Sequence, residues 1–171
     1  MKIKSDSAYS REELGGGKTR FTVTAAELGP DVGLIILICI FGLLSYGVLF
    51  LLFLAFPIAR NMHRKKASAG GEFVVSPAGI EMKGYLLPVE QIHRLVKRNA
   101  YANVPDRYIY APGAVGAAFA NAASHSQSIY TSVAYKLDVD HGGKATTLAG
   151  GMSEVTAHGL MADVSRILGF N

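Results

Sequence analysis

The chain has 171 residues, half of which are hydrophobic, and its formal net charge is +4. Basic and acidic side chains balance within residues 1–31 and again within residues 72–171. The whole excess therefore belongs to four basic residues, Arg60, Arg64, Lys65 and Lys66. Because a nucleic-acid-binding domain needs an excess of basic side chains on its own surface, the neutral charge of residues 72–171 argues against that class of partner.

Residues 1–31 are predicted to be a polar N-terminal tail. Residues 15–19 end like a phosphate-binding loop, but that motif needs a further glycine five residues before Gly17, where the chain has Glu12. No strand is predicted before this run, so a flexible tail explains it better than nucleotide binding does. Within the tail, residues 21–24 have the composition of a short strand.

The stretch 32–59 contains 28 residues without a charged side chain. Since a bilayer core is crossed by about 20 helical residues, the stretch predicts one transmembrane helix. It starts too late and is too long for a signal peptide, and two full crossings would need roughly 40 residues. A shallow re-entrant hairpin that turns at residues 45–47 is the alternative. Cys39, the only cysteine, lies in this stretch, so no intramolecular disulfide can form.

Four basic side chains follow this stretch within the linker 60–71. Lysine and arginine beside a span stay on the cytoplasmic side. We therefore expect a single-pass protein of the inner (plasma) membrane, with the N-terminal tail outside and a soluble C-terminal domain in the cytoplasm. The four side chains fix this topology and could also contact anionic lipid headgroups. They are Arg60, Arg64, Lys65 and Lys66.

Residues 72–83 are predicted to form a first β-hairpin. The first five are rich in β-branched and aromatic side chains, residues 77–79 (Pro-Ala-Gly) supply a turn signal, and residues 80–83 alternate apolar and charged side chains. After Pro88 the periodicity fits either a helix or a strand. We favour a turn followed by a strand from Ile92.

Residues 111–128 include seven alanines and almost no bulky side chain. Such a segment buries little apolar area, so it is predicted to be a loop, or a weak helix, that a partner orders. A short strand is predicted before it, at residues 108–110.

The clearest strand runs from Ile129 to Asp140, where apolar and polar side chains alternate between two faces. A hairpin turn is predicted at residues 141–144, because the paired glycines there tolerate positive φ. Residues 145–149 then return as the next strand.

The chain is predicted to end in an amphipathic helix, since Ser153 is a good N-cap and Gly169 a natural stop. Six apolar residues recur between them at helical spacing: Ala157, Leu160, Met161, Val164, Ile167 and Leu168. This stripe is expected to cover the open end of a sheet or small barrel. The predicted fold class is a single transmembrane α-helix plus an α+β domain of antiparallel strands.

The run 72–82, Glu-Phe-Val-Val-Ser-Pro-Ala-Gly-Ile-Glu-Met, resembles the opening of bacterial membrane-anchored pleckstrin-homology-like (PH-like) domains. Residues 87–95 resemble the Pro-x-x-x-Ile step that follows in those domains. The resemblance spans residues 72–171. It implies a small, partly open β-barrel with a C-terminal helix in one end, and a binding or scaffolding role. The single predicted membrane helix and the Ala-rich segment 111–128 depart from the family pattern.

No catalytic, cofactor-binding or metal-binding motif is present in the sequence. The five histidines are scattered, with no cysteine or carboxylate cluster to complete a metal set. There is also no Gly-x-Ser-x-Gly nucleophile elbow. Asp138, Asp140 and His141 lie close together at a strand end and could bind a cation, but a solvated hairpin rim is the simpler interpretation.

These observations predict a non-enzymatic, membrane-anchored interaction or scaffold subunit of an inner-membrane assembly, such as secretion or envelope machinery. Expected partners are the lipid bilayer with its anionic headgroups, other membrane-complex subunits or further copies of the chain, and not nucleic acid. No cofactor is expected. The alternatives are a PH-like domain that senses anionic lipid or another ligand, and a small membrane enzyme. Five tyrosines favour a binding surface: Tyr101, Tyr108, Tyr110, Tyr130 and Tyr135.

Overall fold

The computed structural model describes residues 2–29, 36, 70–102 and 114–170. The strands in these residues are β1 (Ile3–Ser5), β2 (Ala8–Gly15), β3 (Lys18–Thr24), β4 (Glu27–Leu28), β5 (Gly71–Ser76), β6 (Gly79–Met82), β7 (Tyr85–Pro88), β8 (Ile92–Asn99), β9 (Tyr135–His141) and β10 (Lys144–Met152). The helices are α1 (Ala114–Ser132) and α2 (Glu154–Leu168), and a 3₁₀ turn covers Val89–Gln91.

All strand pairs in the described residues are antiparallel and belong to three sheets. The largest has the order β2-β3-β5-β6-β7, a second has the order β10-β9-β8, and β1 pairs with β4. The two larger sheets meet where β10 crosses the start of β5. A Cβ atom on Gly71 would overlap the carbonyl oxygen of Leu148, so the close approach of the sheets requires glycine there.

The five-stranded sheet joins the N-terminal strands to strands from the middle of the chain, residues 71–88. β3 pairs with β5 in a register that sets Phe21 opposite Phe73. Their rings stack with centroids 5.6 Å apart, and Phe21 is 0% exposed. Residues 18–24 are therefore part of the folded core, and the prediction of a flexible tail is wrong. The short strand predicted at residues 21–24 is confirmed within β3.

The prediction of a single-pass inner-membrane protein is wrong, and the fold class that contains a single transmembrane helix is wrong with it. β3 and β5 are neighbours in one sheet although they flank the predicted span, 32–59. One crossing would place the tail and the C-terminal domain on opposite sides of the bilayer, where these two strands could not pair.

Among residues 2–29, 36, 70–102 and 114–170, no helix is both long enough and apolar enough to cross a bilayer. Apart from Ile36, the predicted span 32–59 lies outside the described residues.

The core lies between the two larger sheets and α2. It is made of aromatic and aliphatic side chains contributed by the N-terminal strands, the central strands and α2: Phe21, Val23, Phe73, Val75, Ile80, Leu87, Ile92, Leu137, Val139, Leu148, Ala149, Met152, Ala157, Leu160, Val164 and Leu168. Met161 and Ile167 pack against this core, so the stripe predicted on the C-terminal helix faces it as expected.

The predicted turns and helix ends are confirmed. Pro77 and Ala78 join β5 to β6, and Gly142 and Gly143 have the positive φ values expected of a tight hairpin. The side chain of Ser153 accepts a hydrogen bond from the Thr156 amide at the start of α2. Gly169 ends α2 in the left-handed conformation, with φ 75°. The preferred reading after Pro88 also holds, because a 3₁₀ turn leads into β8 at Ile92.

Of the two structures predicted for the Ala-rich segment, a loop or a weak helix, the helix is observed, because Ala114–Ser132 is α-helical. Alanine has the highest helix propensity, which explains why a segment with few bulky side chains still forms a helix. The helix continues through Ile129, so the predicted long strand starts later, at Tyr135. The strand predicted at residues 108–110 lies outside the described residues.

A hydrogen-bonded clasp ties the N-terminal segment to α2. Ser7 Oγ donates to Thr156 Oγ1 over 3.0 Å and accepts from the Ser153 amide over 2.8 Å. Two residues later, the Tyr9 hydroxyl donates to Asp163 Oδ2 over 2.9 Å. Burial, and then the hydrogen bond to Asp163, raises the pKa of the Tyr9 phenol above its ordinary value. The clasp bonds residues about 150 positions apart in the sequence.

We expect Phe21→Ala to destabilise the domain by roughly 3–5 kcal/mol, because it leaves a cavity against Phe73. The measurement is the free energy of unfolding from urea denaturation of the full chain. Leu14→Ala, an exposed apolar residue on the neighbouring strand, is the matched control and should change that free energy by less than about 0.5 kcal/mol. Equal effects of the two substitutions would show that residues 18–24 are not core.

Candidate interaction site

The outer face of the three-stranded sheet carries a row of charges that we name the ionic ladder. Side chains alternate along β9, so Leu137 and Val139 point into the core while Lys136, Asp138 and Asp140 lie on the other face. The ladder consists of Arg94 and Arg98 on β8 and of Lys136, Asp138 and Asp140 on β9. Strand register brings them together, since Arg94 lies opposite Asp140 and Arg98 opposite Lys136.

Asp138 is the centre of the ladder, and its side chain is 1% exposed. Oδ1 accepts a 2.7 Å hydrogen bond from the hydroxyl of Thr147 on β10. Oδ2 lies 3.2 Å from Lys136 Nζ and 3.7 Å from Arg98 Nε, but neither contact has hydrogen-bond geometry. The burial of this carboxylate is therefore offset mainly by one hydroxyl and two ion pairs.

Asp140 is more exposed and more fully bonded. Arg94 Nε donates to Oδ2 over 2.7 Å, and Arg98 Nη2 donates to Oδ1 over 3.1 Å. The hydrogen bond from Arg94 holds the pKa of the Asp140 carboxyl below its ordinary value, and the charge of Arg98 acts in the same direction. Asp140 is therefore ionised at neutral pH.

This arrangement does not favour the cation site considered for Asp138, Asp140 and His141. The two carboxylates already have basic partners, and His141 Nε2 instead lies 2.8 Å from Thr146 Oγ1. Within the described part of the chain, no three His, Cys, Asp or Glu side chains are grouped as metal ligands. The solvated rim is not observed for Asp138 either, because its side chain is 1% exposed, and both carboxylates are paired with basic side chains.

A second ionic contact links the three-stranded sheet to the start of α2. Lys97 Nζ lies 2.8 Å from Glu154 Oε1 and 5.6 Å from the centre of the Tyr135 ring. The Tyr135 hydroxyl donates to Glu154 Oε2 over 3.3 Å. The hydrogen bond from Lys97 lowers the pKa of the Glu154 carboxyl, and the charge of Lys97 adds to the effect.

The surface feature with the properties of a binding site is the β7 tip, which we define as Tyr85 and Leu86. Tyr85 is 61% exposed and Leu86 is 48% exposed. They follow a two-residue turn in which Lys83 and Gly84 both have positive φ, at 49° and 78°. Among the described residues, no other two consecutive large apolar side chains are both exposed.

The two edges of the five-stranded sheet differ in character. Within the described parts of the chain, β7 pairs only with β6 and has no charged residue, while β2 pairs only with β3 and carries Arg11, Glu12 and Glu13. Charged side chains on an exposed edge discourage pairing with strands whose charges do not match, and Pro88 limits pairing at β7 by removing a backbone donor. The β7 tip therefore offers apolar side chains rather than a long free backbone.

The sequence-predicted site residues are distributed as follows. Arg60, Arg64, Lys65 and Lys66 lie outside the described residues, as do Tyr108 and Tyr110. Residues 15–19, which end like a phosphate loop, form the hairpin between β2 and β3. Of the remaining tyrosines, Tyr101 packs against Tyr130 with ring centroids 6.4 Å apart, and Tyr135 contacts Lys97.

The β7 tip and the ionic ladder were not identified from the sequence. A signal for the tip exists, because two apolar residues follow a Lys-Gly turn and come directly before a buried Leu87. The ladder has a weaker signal, the alternation of Lys136, Asp138 and Asp140 along one strand. Their basic partners on β8 become apparent only once the register is known.

Comparison with known proteins adds no identity. No family model matches the chain, and neither a curated protein nor a solved structure is similar to it.

We expect Lys136→Met to destabilise the domain by about 1–2 kcal/mol, because Asp138 Oδ2 loses its nearest positive charge while remaining buried. The free energy of unfolding in urea measures this effect. Lys144→Met, at an exposed position in the neighbouring hairpin, is the control. Adding Asp138→Asn to Lys136→Met should recover part of the loss; an additive loss would contradict the ion pair.

Acid should weaken the domain through Asp140 and Glu154. Both carboxyls have lowered pKa values in the fold, against ordinary values of 3.8 and 4.5. Their contribution to stability is therefore complete above the ordinary values and is lost as pH falls through the lowered ones. The free energy of unfolding of wild type and Asp140→Asn should differ at pH 6 and converge towards pH 2–3. A difference that stays constant over this range would contradict the assignment.

Proposed function

We propose that the protein is a non-enzymatic interaction or scaffold module that binds a partner protein through the β7 tip. The observation that carries this proposal is the joint exposure of Tyr85 and Leu86 on a short edge strand without charges. Aromatic residues are enriched at protein interfaces, where tyrosine buries a rigid apolar ring and keeps a hydroxyl for hydrogen bonding.

The position of the tip supports this role. Leu87, the next residue, is buried in the core, and Tyr85 and Leu86 pair with Met82 and Glu81 of β6. The backbone below the exposed side chains is thus fixed by the sheet. Two large side chains held on a rigid element lose less conformational freedom on binding than the same side chains on a mobile loop would lose.

The state of the carboxylates supports a role without catalysis. A general acid needs a pKa near the working pH, whereas the pKa of Asp140 is lowered and its charge is neutralised by Arg94 and Arg98. Asp138 is likewise placed between Lys136 and Arg98. The ionic ladder is better suited to holding β8 against β9 than to transferring protons.

The PH-like resemblance is retained as part of the proposal. Three features support it: the antiparallel hairpins, the pairing of β9 with β10, and the C-terminal helix α2, which faces the core. Bacterial domains of that kind are mostly binding or scaffolding modules, which agrees with a partner-binding tip. A place in secretion or envelope machinery remains a prediction, as does the alternative of a domain that senses anionic lipid through Arg60, Arg64, Lys65 and Lys66.

Site-specific photocrosslinking tests the proposal. A photoreactive phenylalanine analogue at Tyr85 of the full chain, expressed in its source cells, should give one dominant adduct of discrete mass with a second protein. The same analogue at Val155, an apolar residue that is 82% exposed on α2, is the matched control and should give no such adduct.

Leu86→Ser should reduce the yield of the Tyr85 adduct at least several-fold while circular dichroism stays unchanged. The proposal would be contradicted if Tyr85 and Val155 gave the same pattern of products. It would also be contradicted if Leu86→Ser left the yield of the adduct unchanged.

A further inference from the structure

The strand β2 is an open edge with an ordered charge pattern. Its residues from Ser10 to Gly15 are all exposed, so none of the described residues covers this side of the sheet. β2 is eight residues long and pairs with β3 along almost its whole length. An edge of this length presents a row of unpaired backbone N–H and C=O groups.

The charges on this edge fit a second copy of the same strand. In an antiparallel pair related by a two-fold axis, a residue on the axis faces its own copy, and the residues beside it face each other across the axis. With Glu12 on the axis, Arg11 of one copy lies directly opposite Glu13 of the other, and this contact occurs twice. Opposite charges at directly paired positions stabilise an antiparallel ladder.

The side chains of Arg11 and Glu13 are available for these contacts between copies. Arg11 and Glu13 form no ion pair with any of the residues that the structure describes. Glu12, which would meet its own copy on the axis, has a nearby positive charge that it shares with Glu72, because Arg20 Nη1 lies 3.3 Å from Glu12 Oε2 and Arg20 Nε lies 3.5 Å from Glu72 Oε1. The arrangement therefore adds two opposite-charge pairs and limits the like-charge contact between the two Glu12 side chains.

The alternative register is less favourable. With Arg11 on the axis, the two arginines would face each other, and Glu13 would lie opposite Tyr9. Tyr9 already donates its hydroxyl to Asp163 and gains nothing from a carboxylate.

We propose that two copies of the chain associate through β2, in antiparallel register about Glu12, to form one continuous ten-stranded sheet. The inference does not depend on the function of the β7 tip, because β2 and β7 are opposite edges of the sheet. It adds to that function, since the dimer would carry a β7 tip at each end. The two tips would then be nine strand spacings apart, roughly 40 Å.

The first test is the native mass of the full chain by light scattering. We expect wild type to dimerise reversibly with concentration. Arg11→Glu and Glu13→Arg should each weaken the dimer at least tenfold, because each brings like charges together. The double variant Arg11→Glu with Glu13→Arg should restore it, since the pairs are only exchanged. Lys144→Glu, a charge reversal at an exposed hairpin position away from β2, should leave the dimer unchanged.

The second test does not require the affinity of the dimer to be measured, because a disulfide traps the associated copies. In a Cys39→Ala background, Glu12→Cys should form an intermolecular disulfide under mild oxidation, because directly opposed residues lie within disulfide reach. Thr22→Cys, an exposed position on the inner strand β3, is the control and should not.

A wild-type monomer at every concentration, or double-variant behaviour no better than that of the single variants, would overturn the dimer. Equal cross-linking at Glu12 and Thr22 would overturn the register. Every measurement of the dimer uses the chain alone. If the dimer is not found, the photocrosslinking test of partner binding at Tyr85 is therefore unaffected.

Discussion

The structure depends on one long-range pairing, that of β3 with β5. This contact brings Phe21 onto Phe73 and closes the core from the N-terminal side. It fixes β2 as an outer edge and leaves β7 as the opposite edge. The hydrogen bonds of Ser7 and Tyr9 to α2 then hold the same N-terminal segment in place. Without the β3–β5 pair, β5 would expose the face of Phe73 and Val75 to water.

Local elements of this fold could be predicted from the sequence, because their signals lie within a few residues. Paired glycines predicted the turn at Gly142, and Ser153 and Gly169 predicted the limits of α2. The Ala-rich segment was less certain. Low bulk suggested a loop, while the helix propensity of alanine decided the outcome in favour of α1.

The failures of prediction concern partners that are distant in the sequence. Nothing near Phe21 indicates that its neighbour is Phe73, so residues 1–31 were read as a separate tail on the other side of a membrane. The ionic ladder was missed for the same reason, because Asp138 and Arg98 are distant in the sequence and are brought together by the register of β8 and β9. Burial of a carboxylate to 1% exposure cannot be inferred from a strand that reads as half solvated.

The segment 30–69 joins two neighbouring strands of one sheet, and this has a consequence for the order of folding. During synthesis β2 and β3 emerge before β5 and α2, so Phe21 can pack against Tyr9 of β2 but not yet against Phe73, and the clasp cannot form until α2 is made. At about 5–20 residues per second, β3 waits on the order of ten seconds for α2. Through this interval the apolar face of β3 is unprotected, so the nascent chain is an expected client of ribosome-associated chaperones until α2 is released.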